Sequence, residues 1–139
     1  MIKENNQSRM LLSQRITQVC LFLFAAIAIT GGCLQMYMGE PDTTPRLDNI
    51  HRFLAGVYLT CGIISCWAAI TIQKQETLVF LIALGGLLGA TGRLISMTMV
   101  GLPESHSLWM TYLLSEIILP VILIIAHLIT IKKKKISNI

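Results

Sequence analysis

Between positions 19 and 131 the chain is apolar almost without relief, broken only by three short polar stretches, and this pattern constrains the fold more than any motif does. The apolar runs, at about 19–38, 50–72, 78–102 and 109–131, are each long enough to cross the hydrocarbon of a bilayer as a helix, which takes roughly 20 residues. A chain of 139 residues has too small an interior to hide four such helices from water. With 54% hydrophobic and 13% charged residues it also lacks the polar surface of a soluble domain. The expected fold is all-α: a polytopic membrane protein with four transmembrane helices in an up-down antiparallel bundle. A lead (1–18), the transmembrane domain (19–131) and a basic tail (132–139) divide the chain.

The connections are short. Residues 39–49 (GEPDTTPRLDN) carry Pro41 and Pro45, read here as stops for the first helix. Residues 73–77 are too few for anything but an antiparallel hairpin of the second and third spans. Residues 103–108 make antiparallel neighbours of the third and fourth in the same way. The lysine block Lys132–Lys135 is read as the stop of the fourth span. Lys3, Arg9, Arg15, Lys74 and those four lysines lie on one side of the bundle, against Arg46 and Arg52 on the other. The excess of positive residues marks the cytoplasmic side, so both termini are expected there. A cleavable leader is the competing reading of the first span, with Ala26-Ile27-Ala28 as its cleavage site. The apolar stretch runs on to Met38, longer than such a leader needs, which favours an uncleaved helix.

Arg93 stands inside the third apolar run, where an arginine costs roughly 2.5–3.5 kcal/mol on insertion scales and is expected to face a partner within the bundle. Glu116, in the fourth run, is the expected partner. Arg93 precedes Leu102 by nine residues, ~14 Å at the helical rise, and Glu116 follows Trp109 by seven, ~11 Å, so a tight hairpin brings them to nearly one level. Gly85, Gly89, Gly92 and Ser96 form a small-residue stripe beside Arg93, expected to admit a neighbouring helix closely. Pro120 removes the N–H that would bond the Glu116 carbonyl. Tyr112 and Ser115 lie within a turn of Glu116, while the second span offers Arg52, Gly56 and Tyr58. These residues suggest a polar pocket opening outward, with Arg93 and Glu116 at its floor and Arg52 at its rim. A fixed ion pair that only sets helix register explains the same charges. Tyr37 and Trp109 read as interfacial anchors, and His127 as a hydrogen-bonded or snorkelling filler.

Other chemistries find little support. Cys20, Cys33, Cys61 and Cys66 lie in apolar runs without C-x-x-C spacing, so neither a redox pair nor a metal site is expected, and no cofactor motif is present. The net charge of +4 comes mainly from the lysine block, with no basic patch interleaved with aromatics, which argues against nucleic acid.

Several pieces of sequence resemble a family of small bacterial four-helix membrane proteins known as a domain of unknown function (DUF4345). They are NIHRFLAGVYL with Arg52, Gly56 and Tyr58, GRLISM with Arg93 and Ser96, VGLP with Gly101 and Pro103, and SEIILP with Glu116 and Pro120. The resemblance runs from about residue 48 to residue 125. It implies four transmembrane helices and an inner-membrane location, and it carries no activity. The build is also similar to that of DoxX-type proteins, a likeness of fold alone.

Three functions compete. The first is a non-enzymatic protein of the bacterial inner membrane whose pocket, from Arg93, Glu116, Arg52, Tyr58, Ser96 and Tyr112, binds a small amphipathic or anionic molecule or a partner helix. The second is a small transporter working as a homo-oligomer, with Glu116 carrying a proton or cation. The third is an intramembrane enzyme with Glu116 as acid/base, for which no nucleophile or metal cluster completes a constellation.

Overall fold

A computed structural model describes residues 10–137; Lys3 and Arg9, counted above for orientation, lie outside the described residues. The chain forms α1 (Leu12–Met38), α2 (Pro45–Ile70), α3 (Thr77–Val100) and α4 (His106–Ser137), with a 3-10 turn at Ile72–Lys74 between α2 and α3. Even the shortest, α3 with 24 residues, is ~36 Å long and exceeds the ~30 Å of bilayer hydrocarbon. All four are apolar enough to cross a membrane. The distribution of side chains agrees with that environment. Large residues such as Phe53, Ile70 and Leu88 point outward, while the contacts between helices are dominated by Ala, Gly, Ser and Thr. The chain is an all-α, multi-pass membrane protein.

Helix boundaries depart from the apolar runs in instructive ways. Pro45 does not stop α1; it opens α2, at the first helical position, where its missing N–H is no loss. Thr44 caps that end by accepting from the Leu47 N–H at 3.4 Å. The stop of α1 is Gly39, whose φ of 63° turns the chain while its N–H donates to the Gln35 carbonyl. Gly101, φ 103°, ends α3 likewise on Met97. Nor does the lysine block end α4, which continues to Ser137. Lysine is a good helix former, so it ends the apolar span without ending the helix.

In space the helices stand in the order α2, α1, α4, α3. The α1–α2 seam is the closest. A Cβ on Gly32 would lie 2.9 Å from both the Leu59 Cβ and the Leu59 backbone N, and one on Gly62 would lie 2.7 Å from Ile29 Cγ1. Ala25 and Ala28 on α1, with Ala55 and Ala69 on α2, are buried alongside them. Small residues at helical spacing let two backbones approach within dispersion range over many turns, which is what holds helices together in lipid. By contrast α2 and α3 scarcely touch, despite the short turn joining them. The expected antiparallel hairpin of these two is splayed rather than packed. Its apex is fastened by other helices: Gln18 of α1 donates to the Ala69 carbonyl at 2.9 Å, Lys134 of α4 donates to the Gln73 carbonyl at 3.2 Å, and His127 Nε2 bonds the Glu76 carbonyl at 2.9 Å. Around that apex Leu21, Ala68, Ile72, Val79, Ala83 and Leu123 form the buried core. A buried Thr130–Ser13 hydrogen bond of 2.7 Å joins α4 to α1 nearby.

Candidate functional site

The gap between α2 and α3 is a cleft of about 580 Å³. Leu54, Val57, Cys61 and Ile64 line it from α2, Leu78, Leu81 and Gly85 from α3, and Phe24 of α1 and Glu116 of α4 reach in between. Along α3 it runs from Leu78 to Arg93, ~22 Å at the helical rise. Gly85 and Gly89 supply this width. A Cβ on Gly85 would meet nothing within 4 Å, and one on Gly89 only Glu116 Oε2, at 3.9 Å.

Apart from Ser65, whose hydroxyl is spent on the Cys61 carbonyl at 2.7 Å, the polar lining gathers toward one end. There Arg93 donates from Nε to Glu116 Oε2 at 2.7 Å and from Nη2 to Oε1 at 3.1 Å, a bidentate pair between α3 and α4. Their side chains are 31% and 12% exposed, so the acid is the more enclosed partner. Fork-on-carboxylate geometry uses both oxygens of Glu116 and leaves Nη1 and one Nη2 proton without an acceptor among the described residues. The Arg93 guanidinium carbon also lies 5.2 Å from the Trp109 ring centroid and 5.9 Å from that of Tyr112, within cation–π range. Tyr58 and Gln35 border the same end of the cleft, and neither side chain makes a hydrogen bond among the described residues. Gly31 makes room for the Tyr58 ring, which would stand 3.3 Å from a Cβ there. Tyr58 and Glu116 share the wall of a second, small void of about 10 Å³.

Of the residues singled out in the sequence, Arg93, Glu116, Tyr58 and Tyr112 therefore come together. Arg52 and Ser96 do not join them. Arg52 is held away from the cleft by Asp48, with Nε donating to Oδ2 at 2.9 Å, and by the Met36 carbonyl, to which Nη1 donates at 2.6 Å. It thus closes the α1–α2 corner, satisfying carbonyls left open where α1 ends. Ser96 is exposed and lies outside the cleft. The small-residue stripe also behaves differently from its expected role. Gly85 and Gly92 have no helix against them, whereas Gly86, not in the stripe, is the tight position: a Cβ there would sit 2.7 Å from Pro120 Cγ and 3.1 Å from Phe24 Cε2. Pro120 lies buried within a continuous α4, its ring filling the space Gly86 leaves.

Trp109 and Gln35 also belong to the site, although the sequence pattern does not single them out for it. Trp109 lies seven residues, two helical turns, before Glu116, so helical spacing could have placed it on that face. Gln35 gives no comparable signal, since only the tight α1–α2 seam brings it near.

A family model described as a domain of unknown function (DUF4345) matches residues 16–127, which takes in nearly the whole bundle and every residue of the cleft. No curated protein and no solved structure matches the chain.

Proposed function

Given that the chain belongs to this family of unknown function (DUF4345), we propose that it is a non-enzymatic membrane protein that binds a single-chain amphipathic molecule in the α2–α3 cleft. The observation that carries this reading is the distribution of polarity along one continuous space. Hydrocarbon lines most of its ~22 Å, while hydrogen-bonding groups of Arg93, Tyr58 and Gln35 lie at one end. That length exceeds the ~15 Å half-thickness of bilayer hydrocarbon, and a volume of about 580 Å³ falls in the ordinary range of small-molecule sites. A long apolar tail with a compact polar head fits both constraints. A partner helix, ~10 Å across, would need the gap to spread further.

The ion pair supports binding over transport. Both oxygens of Glu116 are engaged by Arg93, so a carboxylate acting as a carrier would have to break two charge-assisted bonds in each cycle. The excess of Lys and Arg on one side favours an orientation in a bacterial inner membrane with both termini cytoplasmic, in which the polar end of the cleft falls in the outer half of the bilayer.

Native mass spectrometry of protein purified in mild detergent tests the proposal. The wild type should carry a co-purifying amphiphile, and Gly85→Leu should not, because its side chain would project into the cleft without meeting the packed seams. Equal occupancy in both would overturn the reading, as would a wild type that carries nothing and takes up no added single-chain amphiphile.

A further inference from the structure

We infer that the cleft selects amphiphiles with an uncharged, hydrogen-bond-accepting head, such as an ester, ketone or quinone oxygen, and that Glu116 is the residue that turns anions away. This rests on the cleft being the ligand site, and it specifies the ligand's chemistry.

The argument is one of charge and free donors. Among the described residues Arg93 and Glu116 are the only charged side chains lining the cleft, and they cancel. The other cation expected to draw an anion, Arg52, is committed to Asp48 and to the Met36 carbonyl. A carboxylate or phosphate approaching the free N–H groups of Arg93 would therefore find no net positive charge. It would also lie within a few ångströms of Glu116, whose oxygens are 2.7 and 3.1 Å from the same guanidinium. Two like charges this close in a medium of low polarity repel strongly. A neutral oxygen meets the same N–H donors without that repulsion. The Tyr58 hydroxyl and Gln35 amide, unpaired among the described residues, can donate as well. Trp109 and Tyr112, within cation–π range of the guanidinium, further offset the charge an anion would seek.

Three probes with the same tail separate the possibilities: methyl palmitate, palmitate at alkaline pH where it is ionised, and hexadecane without a head. Competition for delipidated wild-type protein in detergent, read by native mass spectrometry, should favour methyl palmitate over palmitate by about tenfold or more, the scale on which unfavourable charge juxtaposition acts. Hexadecane should compete poorly with methyl palmitate. In Glu116→Gln the arginine loses its counter-charge and the order should reverse toward palmitate. Wild type that binds palmitate as well as the ester, or all three probes equally, overturns the head-group inference while leaving the cleft as the binding site. Failure of every probe to bind overturns the binding reading itself. If Glu116→Gln does not fold, the wild-type ratio alone decides. If it folds and keeps the wild-type order, Glu116 is not the selector.

Discussion

The two seams that α2 makes with its sequence neighbours differ more than the connecting loops would suggest. Toward α1 it packs backbone against backbone through Gly32 and Gly62; toward α3 it leaves a cleft. Both connections are short, so loop length decides neither outcome. What differs is the side chains facing across. Ala25, Ala28 and Gly32 meet Ala55, Gly62 and Ala69 on the closed side, surfaces shallow enough to mate along their whole length. On the open side Leu54, Val57 and Ile64 face Leu78 and Leu81, bulky groups set around the glycines of α3 rather than into them. In lipid there is no hydrophobic penalty for leaving such surfaces apart, because acyl chains cover them as well as another helix would. An open seam is therefore stable in a membrane where it would collapse in water.

Since α2 does not hold α3, something else must. The Arg93–Glu116 pair, with the Gly86–Pro120 contact below it, fastens α3 to α4. The largest effect is accordingly expected from Arg93→Met, which leaves the enclosed Glu116 carboxylate without its counter-charge and should destabilise the protein by about 3 kcal/mol. Thermal unfolding in detergent measures this. The double change Arg93→Met with Glu116→Met should recover most of the loss, because no charge is then stranded. If the single variant unfolds no earlier than wild type, α3 is held by other contacts and the contrast between the seams loses its explanation.

The closed seam should fail next. Gly32→Leu drives a side chain into the Leu59 backbone, where nothing can yield without separating the helices, and overpacking of this kind costs about 2 kcal/mol or somewhat more. Gly62→Leu should behave alike, against Ile29. Either variant should also raise the reactivity of the buried Cys20 toward a membrane-permeant thiol reagent relative to wild type, because a loosened seam opens buried groups. A Gly32→Leu protein with wild-type stability would show that the two helices need not approach so closely.

How much of this could be read from residues alone follows the same division. The spans were legible because a hydrocarbon layer imposes a fixed length and composition on whatever crosses it. The meeting of Arg93 and Glu116 was legible because depth along antiparallel helices is simple counting. Lateral order was not. Periodicity says which side of a helix is smooth, but not which neighbour takes it, and both α1, through Ala25, Ala28 and Gly32, and α3, through Gly85, Gly89 and Gly92, carry small residues at helical spacing. Gly85 and Gly92 of the stripe invite a neighbour that does not come, while Gly86 does the packing because Pro120 and Phe24 are shaped to fill it. Arg52 was misplaced for a related reason. Its i, i+4 partner Asp48 was visible in sequence, but not the Met36 carbonyl, whose position depends on the turn at Gly39.

The smallest expected effect on stability is the most discriminating, since it applies the substitution of the closed seam to the open one. The Cβ of a leucine at Gly85 finds no atom of the described residues within 4 Å, so the side chain enters the open cleft rather than a packed seam. Replacing glycine within a helix also removes a backbone freedom that folding otherwise takes away, a gain of up to ~1 kcal/mol. Delipidated Gly85→Leu should thus unfold at or slightly above the wild-type temperature, opposite in sign to Gly32→Leu. Adding a bound amphiphile should raise the wild-type unfolding temperature and leave that of Gly85→Leu unmoved, because ligand stabilises only the state that binds it. A Gly85→Leu protein as unstable as Gly32→Leu would mean that α2 and α3 close upon each other in the membrane. The cleft would then be a feature of one conformation, and the two seams of α2 would differ in degree alone.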